Sequence, residues 1–333
     1  MKFLIKTTML VILVALGGCG KPAPVQPGTW RGVLTLPGGE LPFLLQVEQT
    51  GSNWSVTLIN GDERVVVPQV RLSDEQLMLV LPAFNTRIAA SRDGSGYTGE
   101  LTLVKRGGKK QVIPFNASPE HAYRFFEQPA EKWAAVDGRW EVTFSEDDGA
   151  TSAAVAEFTQ SNQRVQGTFL TPTGDYRFLD GEVLGDMLYL STFDGSHAFL
   201  FTATLVGDEL RGDFWSGMAW HESWVARRNE SASLPDADSL TRLVGENFQF
   251  EFPDTTGRAV SLEDRRFDGK VILVAMAGSW CPNCHDEAAF LAPLYQQYRD
   301  QGLEIIGLMF EHLEDFDEAA RQVNAFRDKF DIE

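Results

Sequence analysis

Over the first two-thirds of the chain, apolar and polar residues alternate in short runs. "WRGVLTL", "PFLLQVEQ", "NWSVTLING" and "EQLMLVL" place apolar side chains at about every second position and are broken by Gly, Asn or Asp. Successive side chains of a strand point to opposite faces, so this period predicts half-buried antiparallel strands. The pattern runs to about Asn229 and looks duplicated at an offset near 110 residues. "GTWRGVLTL" from Gly28 is similar to "GRWEVTFS" from Gly138, which sets Trp30 opposite Trp140. "EQLMLVLPAFN" parallels "GDMLYLSTFDG", and "GYTGELTL" parallels "DELRGDFW". An offset this long is outside the solenoid range and predicts two similar all-β units, each of about eight strands in a barrel or sandwich. Their interiors are expected to be filled by their own side chains. "SPEHAYRFFEQPAEKW", Ser118 to Trp133, reads as a partly helical joint between them.

After the polar stretch "NESASLPDADSL" the pattern changes. A short hairpin is expected with its turn at Asp254 to Gly257. "KVILVAMA", Lys270 to Ala277, is continuously apolar and predicts a strand buried on both faces. A helix should follow from Pro282 to Arg299, ending near Gly302. "LEIIGLMF" predicts a second buried strand. "EDFDEAARQVNAFRDKF" predicts a second helix, acidic at its start and basic at its end as the helix dipole favours. Strand, helix, strand and helix in that order imply a parallel pair joined by a right-handed crossover.

With 333 residues and 43% hydrophobic content, the chain is that of a folded protein of several domains. Its formal charge of −18, from 29 Lys and Arg against 47 Asp and Glu, argues against nucleic acid as a partner, because phosphates require cationic neutralisation. The N-terminus changes the picture more. Lys2 and Lys6 precede an apolar run from Met9 to Leu16, shorter than the ~20 residues of a spanning helix, which predicts an export signal. "LGGC", Leu16 to Cys19, resembles the bacterial lipobox. The resemblance implies cleavage before Cys19, lipid on Cys19, and anchorage to a membrane of the bacterial envelope, facing the periplasm. Gly20 stands where an aspartate would imply inner-membrane retention, so the outer membrane is favoured. "GKPAPVQPG" is then a short extended tether.

With Cys19 lipidated, Cys281 and Cys284 are the only free thiols, in an oxidising compartment, and a scaffold of structural disulfides is excluded. "AGSWCPNCHDEAAF" sets them where a buried strand ends and a helix begins. First-turn N–H groups of a helix favour negative charge, so a thiolate on Cys281 should be stabilised and its pKa lowered below the ~8.5 of a free cysteine. Cys284, one turn on, is placed to form a reducible disulfide: Cys281 attacks a partner's disulfide and Cys284 resolves the mixed intermediate. His285 completes a Cys-x-x-Cys-His spelling, but c-type haem is usually held in a small helical domain with a second axial ligand. Zinc would need two more ligands, and only His285 and His312 lie nearby. Reversible thiol–disulfide chemistry, with no metal and no cofactor, is the expectation. His221 in "AWHESW" reads as a satisfied structural histidine.

Residues 245–330 resemble the thioredoxin superfamily, most closely its TlpA-like branch of envelope thiol–disulfide oxidoreductases, on "GKVILVAMAGSWCPNC" and "LAPLYQQYRDQGLEIIGL". That resemblance implies Cys281 as nucleophile, Cys284 as resolving thiol, and Trp280 with Pro282 at the substrate rim. Glu287 matches an acidic residue of this branch that tunes the cysteine pair; taken alone, it reads equally well as a surface glutamate. Ala275 stands where thioredoxins bury an aspartate, and Ala289 where the family has a helix-kinking proline. The chain also ends before the cis-proline loop, two strands and a helix that the resemblance calls for.

The expected fold is therefore multidomain: two all-β, barrel- or sandwich-like repeats followed by an α/β thioredoxin-like domain truncated at its C-terminus. The expected boundaries are a signal peptide at 1–18, anchor and tether at 19–28, β domains at 29–118 and 137–229, linkers at 119–136 and 230–245, and the α/β domain at 246–333. The implied activity is that of a membrane-anchored reductase acting on protein thiols or disulfides and drawing on a membrane thiol donor. A peroxiredoxin-like thiol peroxidase would need Thr/Ser-x-x-Cys, where "GSWC" puts Trp before the cysteine. A ligand- or partner-binding lipoprotein with an accessory redox domain is the alternative from a different class.

Overall fold

The computed structural model describes residues 24–332 except 130, 241 and 246. The export signal and Cys19 lie outside the described residues. Two nine-stranded antiparallel sheets make up most of what is described. The first runs from the strand Gly28–Leu36 to the strand Lys109–Pro119, and the last strand returns beside the first, with Trp30 opposite Pro119. It curls into a barrel left open between the short strands Glu63–Val66 and Gln69–Leu72; Val67, just past the first of these, continues its pairing with the strand Asn53–Asn60 by donating to the Val56 carbonyl at 2.9 Å. The second sheet closes fully. Gly138–Ser145 pairs with both Thr151–Ser161 and Trp220–Arg228, and Thr151–Ser161 pairs with Arg164–Thr171, which removes every edge from the ring.

Alternation explains both cores. Along Trp220–Arg228, Glu222, Trp224 and Ala226 point inward while Ser223, Val225 and Arg227 face out. The closed barrel is filled by its own aromatics: Phe201 stacks on Phe214 at 4.3 Å and on Phe169 at 4.6 Å, with Phe144 and Trp224 packed around them. Trp30 and Trp140 are both buried, and each donates its Nε1–H to a carbonyl four residues back, Gln26 at 3.1 Å and Val136 at 3.0 Å. His221 is satisfied at the surface, with Nε2 3.0 Å from Asp213 and Nδ1 3.3 Å from Asp147.

The joint at Ser118 to Trp133 is not helical among the described residues, contrary to expectation. It is an irregular crossing whose groups are consumed by the two barrels it separates. Glu182 accepts the N–H groups of Phe125 and Phe126 at 3.0 and 2.9 Å. Arg124, 5% exposed, donates to the Ser191 carbonyl at 2.8 Å and to Asn60 Oδ1 at 3.2 Å, and pairs with Asp180 at 3.4 Å. Burial pushes its pKa down to about 10, so it stays cationic at neutral pH. Long-range partners outcompete the local helix here, because a buried charge must be matched.

The last region follows the expected order. Glu251–Pro253 pairs with Ala259–Ser261 in a hairpin whose turn is held by Asp254, accepting from the N–H groups of Thr256 and Arg258. Val271–Ala277 lies parallel to Leu303–Met309, joined through the helix Pro282–Tyr298. A second helix, Phe316–Phe330, is capped by Asp315. The strand expected to be buried on both faces is not: Val271 is 72% and Met276 64% exposed, because among the described residues the sheet is two strands wide. No helix among the described residues is long and apolar enough to cross a membrane.

Arg124 supplies a direct test of this packing. Arg124→Ala should cost about 1–3 kcal/mol, since it removes buried donors from the Ser191 carbonyl and Asn60 Oδ1, while Asp180 keeps its two contacts to Arg164 at 3.1 Å. The loss should appear as a lowered urea midpoint.

Candidate active site

The strand Val271–Ala277 is followed by Gly278, Ser279 and Trp280, and the helix opens at Pro282. Cys281 is its N-cap residue, with extended backbone at φ −96° and ψ 111°, and its sulfur accepts the Cys284 N–H at 3.2 Å. Pro282 fits the first helical position because its fixed φ suits a helix and no N–H is needed there. Cys281 and Cys284 form a disulfide with their Cα atoms 5.2 Å apart. The same turn that brings the sulfurs together thus aims a first-turn N–H at Cys281.

Several contacts hold the loop leading into the helix. Glu311 accepts the Ser279 N–H at 2.8 Å and its hydroxyl at 2.7 Å. Trp280 donates Nε1–H to the Phe310 carbonyl at 2.7 Å, and its ring stacks on His312 with centroids 3.9 Å apart. His312 in turn reaches the first barrel, with Nδ1 3.2 Å from the Val104 carbonyl. The ring of Trp280 is thus fixed between the loop and a barrel-bound histidine.

His285, next to the cysteines, is buried. Its Nε2 lies 2.7 Å from the Ser279 carbonyl, and Nδ1 lies 2.8 Å from Lys329 Nζ. A carbonyl can only accept, so Nε2 carries the proton and Nδ1 receives one from the ammonium. Phe84 of the first barrel and Phe326 each sit with ring centroids 5.0 Å from the imidazole. Burial, reinforced by the Lys329 charge, holds the His285 pKa down at about 4. Both ring nitrogens are engaged, which leaves His285 no lone pair for a metal.

Barrel contacts continue along the helix. Asn283, inside the cysteine motif, donates to Asp175 Oδ1 of the second barrel at 3.0 Å. Arg177 of that barrel pairs with Asp286. Glu287, on the next position, is exposed and lies one turn beyond Cys284. Ala275 is buried in its strand, and Ala289 is exposed. A proline does occur inside this helix, but at Pro293, one turn later than the family position. Sequence reasoning missed Arg177, Asp175, Glu311 and Lys329. Only Lys329 carried a signal, and it read as dipole compensation.

The His285 site has a definite pH signature. Its folded pKa lies below the unfolded value of 6.5, so the unfolded chain takes up the proton first. The associated stability is complete above pH 6.5 and is lost as pH falls toward about 4. His285→Gln can keep both hydrogen bonds without titrating. Relative to it, the parent should lose on the order of 3 kcal/mol between pH 7 and 4, read by urea unfolding across that range.

Comparison with known proteins bears on this region. Residues 244–332 match the AhpC/TSA family. A thiol-disulfide oxidoreductase ResA from Bacillus thuringiensis subsp. konkukian is 32% identical over 83 residues, which cover 25% of this chain and 43% of that protein. Its counterpart from Halalkalibacterium halodurans is 33% identical over 70 residues, covering 21% and 39%. The chain spans less than half the length of these relatives. Among solved structures, a redesigned β-barrel aligns with 28% of this chain and 92% of its own at 19% identity and a TM-score of 0.24. With its cysteines on a strand–helix junction and these relatives alongside, the C-terminal region of the chain is thioredoxin-like and similar to the TlpA- and ResA-like thiol–disulfide oxidoreductases.

Proposed function

We propose that this chain is a lipid-anchored thiol–disulfide oxidoreductase of the bacterial envelope, facing the periplasm from the outer membrane and working as a reductase. The observation that carries the reading is the Cys281 sulfur at the helix N-cap, accepting the Cys284 N–H while bonded to Cys284. In the reduced protein that position favours a thiolate on Cys281. The thiolate attacks one sulfur of a partner's disulfide, and the departing sulfur leaves as a thiolate that takes up a proton. Cys284 then loses its proton and attacks Cys281, which releases the partner as a dithiol and leaves the Cys281–Cys284 disulfide. A membrane thiol donor returns the pair to the dithiol. Glu287, one turn from Cys284 and open to solvent, is the residue we assign to take the Cys284 proton. Trp280, partly exposed, is the rim that a partner meets; Pro282, expected beside it, is buried at the helix start and serves that turn instead.

The relatives' own description as thiol-disulfide oxidoreductases supports this chemistry. A peroxidase reading lacks its nucleophile frame, since Gly278 stands three residues before Cys281. The barrels, at 29–118 and 137–229, are two copies of one unit acting as a scaffold. The aromatic filling of the second supports that role over ligand capture.

Cys281→Ser should abolish dithiol-dependent reduction of a protein disulfide such as insulin, and Cys284→Ser should accumulate mixed disulfides on non-reducing gels. Full activity in both variants would refute the reading. Cys19→Ala should move the protein from the membrane fraction to the soluble periplasmic fraction; unchanged membrane recovery would remove the lipid anchor from the proposal.

A further inference from the structure

Resting on the function proposed above, we propose that Arg177 of the second barrel is a positioning residue for the cysteine pair: it pins the Cys-x-x-Cys turn and neutralises Asp286 beside it, so that a β-barrel sets how readily Cys281 ionises. The geometry is specific. Arg177 lies between the short strand Gly174–Asp175 and the strand Leu179–Leu184, in left-handed backbone at φ 62°. Its side chain is buried, 8% exposed as a residue. Nη1 pairs with Asp286 and reaches Asn283 Oδ1 at 3.4 Å, while Nη2 pairs with Glu63 of the first barrel. Nε lies 3.8 Å from Asp194. Asp175 completes the hold by accepting from Asn283 Nδ2 at 3.0 Å through its carboxylate and at 3.4 Å through its carbonyl. Gly174, at φ 141°, packs directly on this amide: a Cβ there would come 3.0 Å from Asn283 Nδ2.

Asn283 and Asp286 are three apart on one helix and therefore share a face. One of them is inside the cysteine motif, and the other lies five residues from the Cys281 cap, roughly 7.5 Å along the axis. A carboxylate that close opposes a thiolate at the helix start, and Arg177, which it shares with Glu63 and Asp194, offsets it. The other charged groups facing this end of the helix are Glu287 on the same helix, one turn from Cys284, and Glu63, Asp175, Asp194, Glu311 and Lys329. Glu311 is committed to Ser279, and Lys329 to His285. Of the two carboxylates next to the motif on its own helix, Asp286 is the one paired with Arg177, and Glu287 faces solvent.

The test compares Asp286→Asn, Arg177→Ala and the double variant in the full chain. It reads Cys281 ionisation from the pH dependence of alkylation, and the disulfide's equilibrium with glutathione. Arg177→Ala should lower the Cys281 ionisation constant roughly three- to tenfold and make the disulfide correspondingly harder to reduce. Asp286→Asn should raise the constant roughly twofold or more. The double variant should return to within about twofold of the parent, which a merely architectural arginine would not produce. Equal shifts in Arg177→Ala and the double variant would overturn the proposal. So would an Asp286→Asn protein with unaltered ionisation, and this arm decides the matter if Arg177→Ala does not fold, since Asp286 is 66% exposed. A parent protein whose cysteines exchange no disulfides defeats the proposed function itself; a parent that exchanges normally beside unresponsive variants defeats only the role of Arg177.

Discussion

A guanidinium taken out of water must find its charges inside the protein, and Arg177 finds them on three different parts of the chain. Glu63 comes from the first barrel, Asp194 from the second, and Asp286 from the helix that carries the cysteines. Desolvation makes every lost partner at such a point costly, which favours the arrangement that keeps all three carboxylates around the guanidinium. Arg124 imposes the same constraint one layer away, between the barrels alone, through Asn60, Ser191 and Asp180. Apolar contact supplies the bulk of the adhesion: Phe193, Ala198 and Leu200 of the second sheet belong to the core of the first. The buried arginines decide its register.

That arrangement reaches the chemistry through a short chain of contacts. The helix start offers N–H groups to whatever sits at its cap, and a sulfur sits there. Its position is fixed from four sides: by Glu311 on Ser279, by Trp280 against His312, by His285 under the turn, and by Asp175 and Arg177 on Asn283. Three of these supports reach a barrel. His312 touches Val104, His285 packs on Phe84, and Asn283 lies on the Gly174–Arg177 turn. A thioredoxin-like region that exposes Val271 and Met276 on its own sheet therefore has its reactive end, and not its sheet, ordered by the neighbouring domains.

What the sequence made legible follows from the range of the interactions involved. Alternation along strands, the Pro282 start, the Gly302 stop and the acidic start of the last helix are all local, and each appears where the residues put it. The tryptophans set opposite each other by the internal repeat make the same Nε1 bond to a carbonyl four residues back. The joint at Ser118 to Trp133 failed as a helix because its decisive residue, Arg124, answers to groups more than fifty positions away in both directions. Arg177 was invisible for the same reason, lying 109 positions from Asp286 in the sequence. Lys329 was read as a dipole partner; only the fold shows that it lies against an imidazole. Continuous apolar character at Lys270 to Ala277 correctly signalled a strand, but burial on both faces needs neighbours that a run of residues does not specify.

The barrels need no ligand to matter to the reaction. The second is packed with its own aromatic rings, and what it presents outward is the turn that grips Asn283 and Asp286. Thermodynamic linkage makes any such grip reciprocal. If the barrel side favours a charged sulfur at the helix cap, a charged sulfur favours the barrel side by the same factor, and closing the disulfide relaxes both. The oxidation state of two cysteines and the tightness of a domain contact then become one equilibrium, with Arg177 and Asp286 as the pair through which each is felt by the other.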